Sequence, residues 1–590
     1  MMIQTSSFQR PLCGLLIAGL TALGSGCAKE PAGDAVTTAD LALKGGAIYT
    51  VDGSRSWAEA VAIRDGRITF VGTDKDLEAH IGPDTRVVNL KGRMLIPGFQ
   101  DAHIHPISAV VKASSCDLNG LDVNDLAAAA IKRRETVERY VAAIKLYADT
   151  HPDEAWITGG GWLMSAFGPG ALTSRKLIDA VVPDRPVLLW STDGHTAWVN
   201  SKALELAGVT DETPDPPGGR IDRDSQGVAI GSLQEGAAGL VSAVMPATTD
   251  AQLQKGLRYA VKLLNSYGIT AIQDASVDEP DLKAYQAVDA SGELSLRVVT
   301  SILWDRDKGL EQIADIKRLR AQYTAGHVVA GTVKIFQDGV MENYEAAMLE
   351  PYLMPGNVRG TSLIDPERLK EIVTRLDAEN FQVHFHAIGD AAIRQTLDAV
   401  EAARKANGDL GHRHHIAHLE LIDPADIPRF RELGVVANFQ PLWAFADSYI
   451  TDLTIPFIGP KRSNWLYPIG SVHRSGGVVA FGSDWSVSSP NPMEEIEVAV
   501  TRMGALGETK TPFLPDERIG LPEAIAAFTI NAAYVNRHET ETGSIEVGKL
   551  ADLAILDRNL FAIPAGEISD AKVLVTLFEG KAVHGDLGNL

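Results

Sequence analysis

The sequence predicts an α/β fold built on a (β/α)₈ barrel, with a small β-sandwich formed by the two chain ends. Two observations support this prediction. Short apolar runs, such as residues 268–273 and 478–484, alternate with amphipathic helical stretches through the middle of the chain. Both ends carry short strand-like runs that are broken by Gly and Asp. Repeated alternation of strands and helices is typical of a parallel barrel.

The order of the elements divides the chain into three folded parts. Residues 39–97 and 543–590 have the strand-like texture, which we expect to form antiparallel strands with tight turns in one sandwich. Residues 98–542 contain the alternating pattern of the barrel. This part is longer than the roughly 250 residues typical of such barrels, so we expect an insertion after the first barrel strand, at about residues 112–246.

The N-terminus has the composition of an export signal. Residues 1–26 contain a single charge, Arg10, and an apolar run at residues 12–23 before Cys27. This pattern predicts a signal peptide that resembles those of bacterial lipoproteins, with Cys27 lipidated and residues 27–38 acting as a tether. We therefore expect a periplasmic or cell-envelope protein that contacts the membrane only through this anchor. A soluble exported protein is the alternative.

Composition excludes several classes of protein. With 590 residues, 45% of them hydrophobic and 22% charged, the chain is neither disordered nor fibrous. Its formal charge of −22 argues against nonspecific binding to nucleic acid, which requires a basic surface. The 3 cysteines include no CxxC pair. Any metal ion must therefore be bound by histidine, carboxylate or lysine.

His103 and His105 follow an apolar run and are expected at the end of a strand. Because side chains alternate along a strand, residues two apart point the same way and their imidazoles converge. Alone, this pair is also compatible with two solvated histidines. The remainder of the chain adds, at or within predicted strands and in this order, Lys334, His386, His418 and Asp484.

With this order and five short motifs, the chain resembles the metal-dependent amidohydrolase superfamily, and within it the amidohydrolase 3, or YtcJ-like, branch. The resemblance covers nearly all of the chain after Ala39 and implies the same barrel and sandwich. The motifs are Gly194-His-Thr-Ala-Trp-Val-Asn, Gly268-Ile-Thr-Ala-Ile-Gln-Asp-Ala, Asp338-Gly-Val-Met-Glu-Asn, Ala387-Ile-Gly-Asp and Gly548-Lys-Leu-Ala-Asp-Leu.

The resemblance implies one or two divalent metal ions, with Zn²⁺ the expected ion. Lys334 would be carboxylated by CO₂ and would bridge two ions, because a carbamate offers two anionic oxygens where a buried ammonium would be repelled. If Lys334 is an ordinary lysine, the site is mononuclear. The implied metal ligands are His103, His105, Lys334, His386, His418 and Asp484.

The implied reaction is hydrolysis of a non-peptide amide-type C–N bond in a small N-acyl or N-formyl compound by metal-bound hydroxide. Asp484 would take the proton of water and deliver it to the leaving nitrogen. His195 is similar to a family position that contributes to the site from the insertion, where it could stabilise the oxyanion. An esterase or lactonase on the same metals and a nonenzymatic surface lipoprotein are the alternatives. The oligomeric state stays open.

Several other residues near these motifs have two interpretations. Trp162 either lines the substrate pocket or anchors the insertion. We expect the remaining histidines near the proposed ligands to surround the metal site or to lie at the surface. These histidines are His384, His412, His414 and His415.

Overall fold

A computed structural model describes residues 38–113, 115–119 and 129–590. The predicted signal peptide, Cys27 and all but the last residue of the tether lie outside these ranges, so their assignments stay predictions. Within the described ranges, no helix combines the length and the apolar character that are needed to cross a bilayer.

Eight parallel strands form the central, nearly closed barrel, and each of the first seven pairs with the next strand along the chain. The predicted (β/α)₈ fold is therefore confirmed. The barrel strands are β1 (Phe99–Ile104), β2 (Ile269–Val277), β3 (Arg297–Leu303), β4 (Val328–Phe336), β5 (Gln382–Ala387), β6 (His415–His418), β7 (Val436–Phe439) and β8 (Val479–Phe481).

The barrel closes where the chain leaving β8 meets the end of β1. The backbone N–H of Asp484 donates to the carbonyl oxygen of His103 at 2.8 Å. At the neighbouring Gly482, a Cβ atom would lie 2.4 Å from the backbone nitrogen of His103. Only glycine fits this approach, which brings the loop after β8 beside β1.

Helices connect the barrel strands, and their starts are encoded locally. Thr249 and Gln252 form a reciprocal capping box at the first helix, and Asp278 and Asp281 form another at the second. The helices between and after the strands are Asp250–Ser266, Glu279–Ala290, Ile313–Tyr323, Pro366–Ala378, Asp390–Asn407, Ile427–Leu433, Ile455–Arg462, Ile469–Arg474, Pro492–Thr501, Leu521–Ala527 and Ile530–Val535.

The two chain ends form two small sheets with a shared apolar core that includes Leu43, Val61, Leu553 and Leu577. Burial of these side chains joins the N-terminal and C-terminal segments. One sheet contains Leu41–Lys44, Ala60–Arg64, Arg67–Gly72 and Arg86–Asn89. The other contains Ala47–Tyr49, Trp57–Ala58, Met94–Pro97, Leu553–Leu556, Val573–Phe578 and Lys581–His584.

The expectation of purely antiparallel strands at the N-terminus is wrong in two places. Leu41–Lys44 pairs in parallel with Arg86–Asn89, and Ala47–Tyr49 pairs in parallel with Met94–Pro97. The hairpin of residues 60–72 occupies one side of Leu41–Lys44. Arg86–Asn89 therefore pairs on the other side of Leu41–Lys44. The connection between these two strands crosses over, so they run in the same direction.

Between β1 and β2 the chain forms a six-stranded sheet that the sequence did not indicate. Trp162 is fully buried in it, donates its indole N–H to the carbonyl oxygen of Leu189 at 2.9 Å and packs against Phe167 and Trp198. Trp162 therefore anchors the insertion. The strands are Cys116–Asp117, Ile157–Trp162, Val187–Ser191, Thr196–Val199, Gly219–Arg223 and Ala229–Glu235. The helices of this region include Pro106–Ala113, Ala129–Thr150, Arg175–Asp179 and Ser201–Ala207.

We predict that Gly482→Ala weakens the closure of the barrel. The added methyl group overlaps the backbone of β1, and such overpacking typically costs about 1–3 kcal/mol. The apparent melting temperature, followed by circular dichroism, should fall. Gly53→Ala is the matched control, because a Cβ there meets no atom within 4 Å. Equal melting temperatures for the two variants would contradict the close approach at Gly482.

Candidate active site

Two histidines and one carboxylate meet where β1 and β8 end. The Nε2 atoms of His103 and His105 lie 3.4 and 3.2 Å from Oδ1 of Asp484. Each residue offers one ligand atom within 4.8 Å of the others. His103 lies in β1 and His105 follows it, so the alternation of the strand turns both imidazoles to the same side, as the sequence predicts.

Two further histidines join this group from neighbouring strands. His386 lies in β5 and His418 ends β6. The ring centroids of His103 and His418 are 4.7 Å apart, and those of His386 and His418 are 4.5 Å apart. His418 Nδ1 lies 3.9 Å from Oδ2 of Asp484. The structure therefore brings all four predicted imidazoles and the predicted carboxylate together at the carboxyl ends of the strands.

The backbone is strained at two of these residues. His418 has φ of +81° and Asp484 has φ of +53°, in the left-handed region that non-glycine residues rarely adopt. Such a conformation costs on the order of 1–3 kcal/mol and persists only where the surrounding packing enforces it. His418 ends its strand and Asp484 shortly follows its own, and the two side chains approach each other to 3.9 Å.

Lys334 lies within β4 and is completely buried. Its Nζ atom has no hydrogen-bond partner among the described residues and lies 4.8 Å from the centre of the Phe336 ring. Burial lowers the pKa of Lys334 to about 7, and the nearby Asp484 opposes this shift. A neutral amine is the form that reacts with CO₂, so this environment is compatible with the predicted carbamate.

The protonation states of the cluster are those that a metal site requires. Burial lowers the pKa of His103 to about 3, and Lys334 contributes to this shift. Burial and neighbouring imidazoles lower the pKa of His386 and His418 well below the ordinary value. Burial would raise the pKa of Asp484, but interactions with His103 and His105 hold it well below its usual range. Neutral imidazoles and an ionised carboxylate are ready to bind a cation.

His384 positions His103 from inside the barrel. The Nε2 atom of His384 is 2.7 Å from Nδ1 of His103, and the Nδ1 atom of His384 is 3.0 Å from Oγ of Ser301. This chain of hydrogen bonds leaves Nε2 of His103 facing Asp484. Partners of this kind orient metal-binding histidines and set which nitrogen is free. His415 packs beside His384, with ring centroids 4.1 Å apart.

His412 and His414 lie elsewhere, before β6 begins. The Nε2 atom of His414 is 3.0 Å from Oδ1 of Asp377, and its Nδ1 atom accepts the backbone N–H of Val383. Arg537 donates to Nδ1 of His412 at 2.9 Å. His412 and His414 therefore stabilise the opposite end of the barrel and do not reach the cluster of His103, His105 and Asp484.

Asp338 explains two of the sequence motifs. Its carboxylate accepts backbone N–H groups of Ala347, Ile388 and Gly389 at 2.9–3.0 Å, and it lies 3.5 Å from Nδ1 of His386. It thus ties the Asp-Gly segment after β4 to the segment after β5. At Gly339, a Cβ atom would lie 2.5 Å from Oε1 of Glu235, so glycine makes room for that carboxylate.

His195 enters the site from the insertion, as predicted. Its Nδ1 atom lies 2.7 Å from Oε1 of Glu235, and its ring centroid is 5.2 Å from that of His386. Burial alone would lower the pKa of His195, but the charge and hydrogen bond of Glu235 raise it to about 9. His195 is therefore an imidazolium at neutral pH, next to the neutral imidazole of His386.

A cavity of about 720 Å³ opens above these residues. His195, His386, His418 and Asp484 form its floor. Aromatic side chains line its sides, and Trp443 is stacked on His418 with ring centroids 5.3 Å apart. Its volume is within the range of small-molecule binding sites.

The residues of this cluster fit a divalent metal. Polar atoms that are buried without a hydrogen-bond partner are costly in a folded protein and require an explanation. Within the described ranges, such atoms at this site include Nε2 of His103, Nζ of Lys334, both ring nitrogens of His386, Nδ1 of His418 and Oδ1 of Asp484. Imidazole nitrogens combined with a carboxylate suit Zn²⁺ and similar ions.

Comparison with protein families agrees with this chemistry. The Amidohydro_3 family model, described as "Amidohydrolase family", matches residues 86–584, which include all of the barrel. The chain belongs to the amidohydrolase family. The resemblance noted in the sequence is thereby confirmed, and the chain is a metal-dependent hydrolase that acts on C–N bonds. The nonenzymatic alternative is not supported.

Individual relatives of this amidohydrolase match over almost their full length. The chain is 32% identical over 560 residues to Protein LONG AFTER FAR-RED 3 of Arabidopsis thaliana, covering 92% of both chains. It is 28% identical over 559 residues to N-substituted formamide deformylase of Arthrobacter pascens, covering 92% of this chain and 97% of the relative. An uncharacterized metal-dependent hydrolase from Pyrococcus horikoshii has the same fold, with a TM-score of 0.68 and 23% identity over 89% of this chain and 99% of the other.

Two residues of the amidohydrolase site, Glu235 and Asp338, were missed as contributors in the sequence, and the partner of a third, His384, was not assigned. Glu235 faces His195 because Thr196–Val199 and Ala229–Glu235 pair in register, and no local signal reveals that pairing. His384 was expected near the ligands without an assigned partner. Asp338 was visible in the Asp-Gly motif, but its three backbone hydrogen bonds depend on the packing of loops.

We predict that Glu235→Gln destabilises the metal-free protein in a pH-dependent way. The raised pKa of His195, about 9 against 6.5 when unperturbed, means that the ion pair stabilises the fold fully below pH 6.5. This contribution is lost as the pH rises through about 9. Melting temperatures of chelator-treated wild type and variant should therefore differ most below pH 6.5 and converge towards pH 9. Glu212→Gln, an exposed change in the same insertion, is the control. A difference that is independent of pH would contradict the assignment.

Proposed function

We propose that this amidohydrolase hydrolyses a non-peptide amide C–N bond in a small N-acyl or N-formyl compound. The observation that carries the proposal is the convergence of four imidazoles with the ionised Asp484, close to the buried Lys334. Of this cluster, His386, His418 and Asp484 line the cavity. A relative named N-substituted formamide deformylase supports amide cleavage as the reaction. Water adds to the carbonyl carbon, the C–N bond breaks, and the products are a carboxylic acid and an amine.

The proposed metal ligands are His103, His105, Lys334, His386, His418 and Asp484, and the proposed ion is Zn²⁺. Bound divalent ions would supply Lewis acidity, which polarises the amide carbonyl and makes water more acidic. The remaining chemistry belongs to the side chains of this chain.

Asp484 is the proposed general base and acid. Its low pKa keeps it ionised, and its carboxylate lines the cavity beside the imidazoles. It can accept a proton from the attacking water at Oδ1 or Oδ2 and return that proton to the leaving nitrogen. Proton transfer of this kind typically contributes about 10²–10⁴-fold to the rate.

His195 is the proposed oxyanion stabiliser. The carboxylate of Glu235 accepts a hydrogen bond from Nδ1 of His195 and keeps the ring protonated, so the Nε2–H group is available to a substrate carbonyl oxygen in the cavity. A fixed positive charge near an oxygen that becomes negative lowers the barrier, because the charge is already oriented before the reaction.

We also propose that the protein is exported and anchored in the cell envelope through Cys27. The apolar run and small residues that precede Cys27 support this proposal. The enzyme would then meet small amides outside the cytoplasm. Labelling of cells with a radioactive fatty acid tests the anchor, and equal labelling of a Cys27→Ser variant would contradict it.

We predict that Asp484→Asn removes amide hydrolysis from the metal-loaded enzyme. The amide side chain cannot accept the water proton, so turnover of N-benzylformamide, measured by amine release, should fall by at least about 10²-fold. Metal content, measured by atomic emission, separates a lost proton acceptor from a lost ligand. Asp570→Asn, an exposed change in the sandwich, should retain wild-type turnover. Equal rates for the two variants would refute the proposed role.

We predict that Lys334→Met reduces the bound metal from two ions to one per chain. The methionine fills the same buried space but cannot form a carbamate to bridge two ions. Wild type purified with ¹³C-bicarbonate and metal should show a carbamate carbon by NMR, and Lys334→Met should lack it. Two ions in Lys334→Met, or no carbamate in the wild type, would contradict a bridging role.

A further inference from the structure

The wall of the cavity is strongly acidic. Above the histidine floor it carries many carboxylates, among them Glu342, Glu420 and Asp447, and its described part contains neither lysine nor arginine. His195, which also lines the cavity, is already paired with Glu235. Among the described residues, Glu342, Glu420 and Asp447 have no lysine or arginine partner.

Glu420 is the clearest sign that this charge serves a ligand. It lines the cavity, is only 2% exposed, and its Oε1 atom has no hydrogen-bond partner among the described residues. A buried carboxylate oxygen without a partner is costly, and a structure retains it where something else satisfies it. Burial and neighbouring carboxylates raise the pKa of Glu342 to about 8, and burial raises that of Asp447 to about 6. A cation bound beside these carboxylates would favour their ionised forms.

The shape and lining of the wall favour an organic cation over a metal ion. Among the described residues, the tight carboxylate and histidine cluster suited to a metal is the one formed by His103, His105 and Asp484. Glu342, Glu420 and Asp447 do not converge in that way. Aromatic rings of Trp443 and Tyr449 border the same space, and aromatic faces attract ammonium groups.

We propose that the natural substrate carries a positively charged ammonium group, separate from the scissile amide, which binds against Glu342 and Glu420. This inference rests on the proposed function, because the same cavity holds the hydrolytic residues. One molecule then places its amide over Asp484 and its cation against the acidic wall. The cavity of about 720 Å³ is large enough for such a compound. Glu342 and Glu420 thus determine specificity.

The first test compares two formamides of matched shape. N-[4-(aminomethyl)benzyl]formamide carries an ammonium group where N-(4-ethylbenzyl)formamide carries a methyl group. At low ionic strength, kcat/KM of the wild type should be at least about tenfold higher for the charged compound, because the acidic cavity attracts and holds it. Added salt should reduce the ratio. This comparison needs no variant, so it does not depend on the folding of one.

The second test measures binding without hydrolysis. Benzyltrimethylammonium contains no amide, and calorimetry at constant ionic strength gives its affinity for metal-loaded protein. Glu342→Gln keeps the shape of the side chain but removes its charge, and should weaken binding by at least about tenfold. Glu371→Gln removes the same charge from the exposed face of helix Pro366–Ala378 and should leave the affinity unchanged. The formamide ratio should fall in Glu342→Gln and persist in Glu371→Gln.

The outcomes separate the two proposals. If both formamides are hydrolysed at equal rates and benzyltrimethylammonium does not bind, the cation site is refuted while the amidohydrolase function stands. If the ammonium binds in a Glu342-dependent way and neither formamide is hydrolysed, the proposed reaction on formamides is refuted while the cation site stands. Equal weakening in Glu371→Gln, or displacement of the ammonium by Ca²⁺ at matched ionic strength, would also overturn the cation site.

Discussion

The hydrogen bond from the backbone of Asp484 to the carbonyl oxygen of His103 is the contact on which the site depends. It crosses the seam between β8 and β1, which lie far apart in the chain. The barrel brings the strands into a ring, but this seam brings the carboxylate that follows the last strand to the two histidines of the first. Without Gly482, the backbone could not approach closely enough to make it.

Burial has a second effect on the same residues. It keeps the imidazoles of His103, His386 and His418 neutral and, among the described residues, leaves nitrogens of all three without hydrogen-bond partners, which is unfavourable for a folded protein without a bound cation. A metal ion that binds only the folded state then stabilises it by mass action. Binding of metal and formation of the barrel are therefore linked. The free-energy cost of the left-handed backbone at His418 and Asp484 is part of the same balance between folding and metal binding.

The sequence could predict those parts of the structure that depend on local periodicity. His103 and His105 are two residues apart on a strand, and Asp484 follows an apolar run, so their common direction follows from strand geometry. Glu235 and Glu420 could not be assigned, because their roles depend on which distant strands and loops pack against them. The insertion sheet was also missed. Its strand Ile157–Trp162 contains three consecutive glycines, which weaken any strand signal.

The position of His195 has a consequence for the evolution of this enzyme. Thr196 pairs with Gln234 in the insertion sheet, and this register sets His195 opposite Glu235. Since neighbouring side chains on a strand point to opposite faces, a slip of one residue would turn the imidazole away from the cavity. Loops of the insertion can change in length between lineages as long as this pairing is kept. A single deletion inside either strand would remove the imidazole of His195 from the cavity while the proposed metal ligands stayed in place.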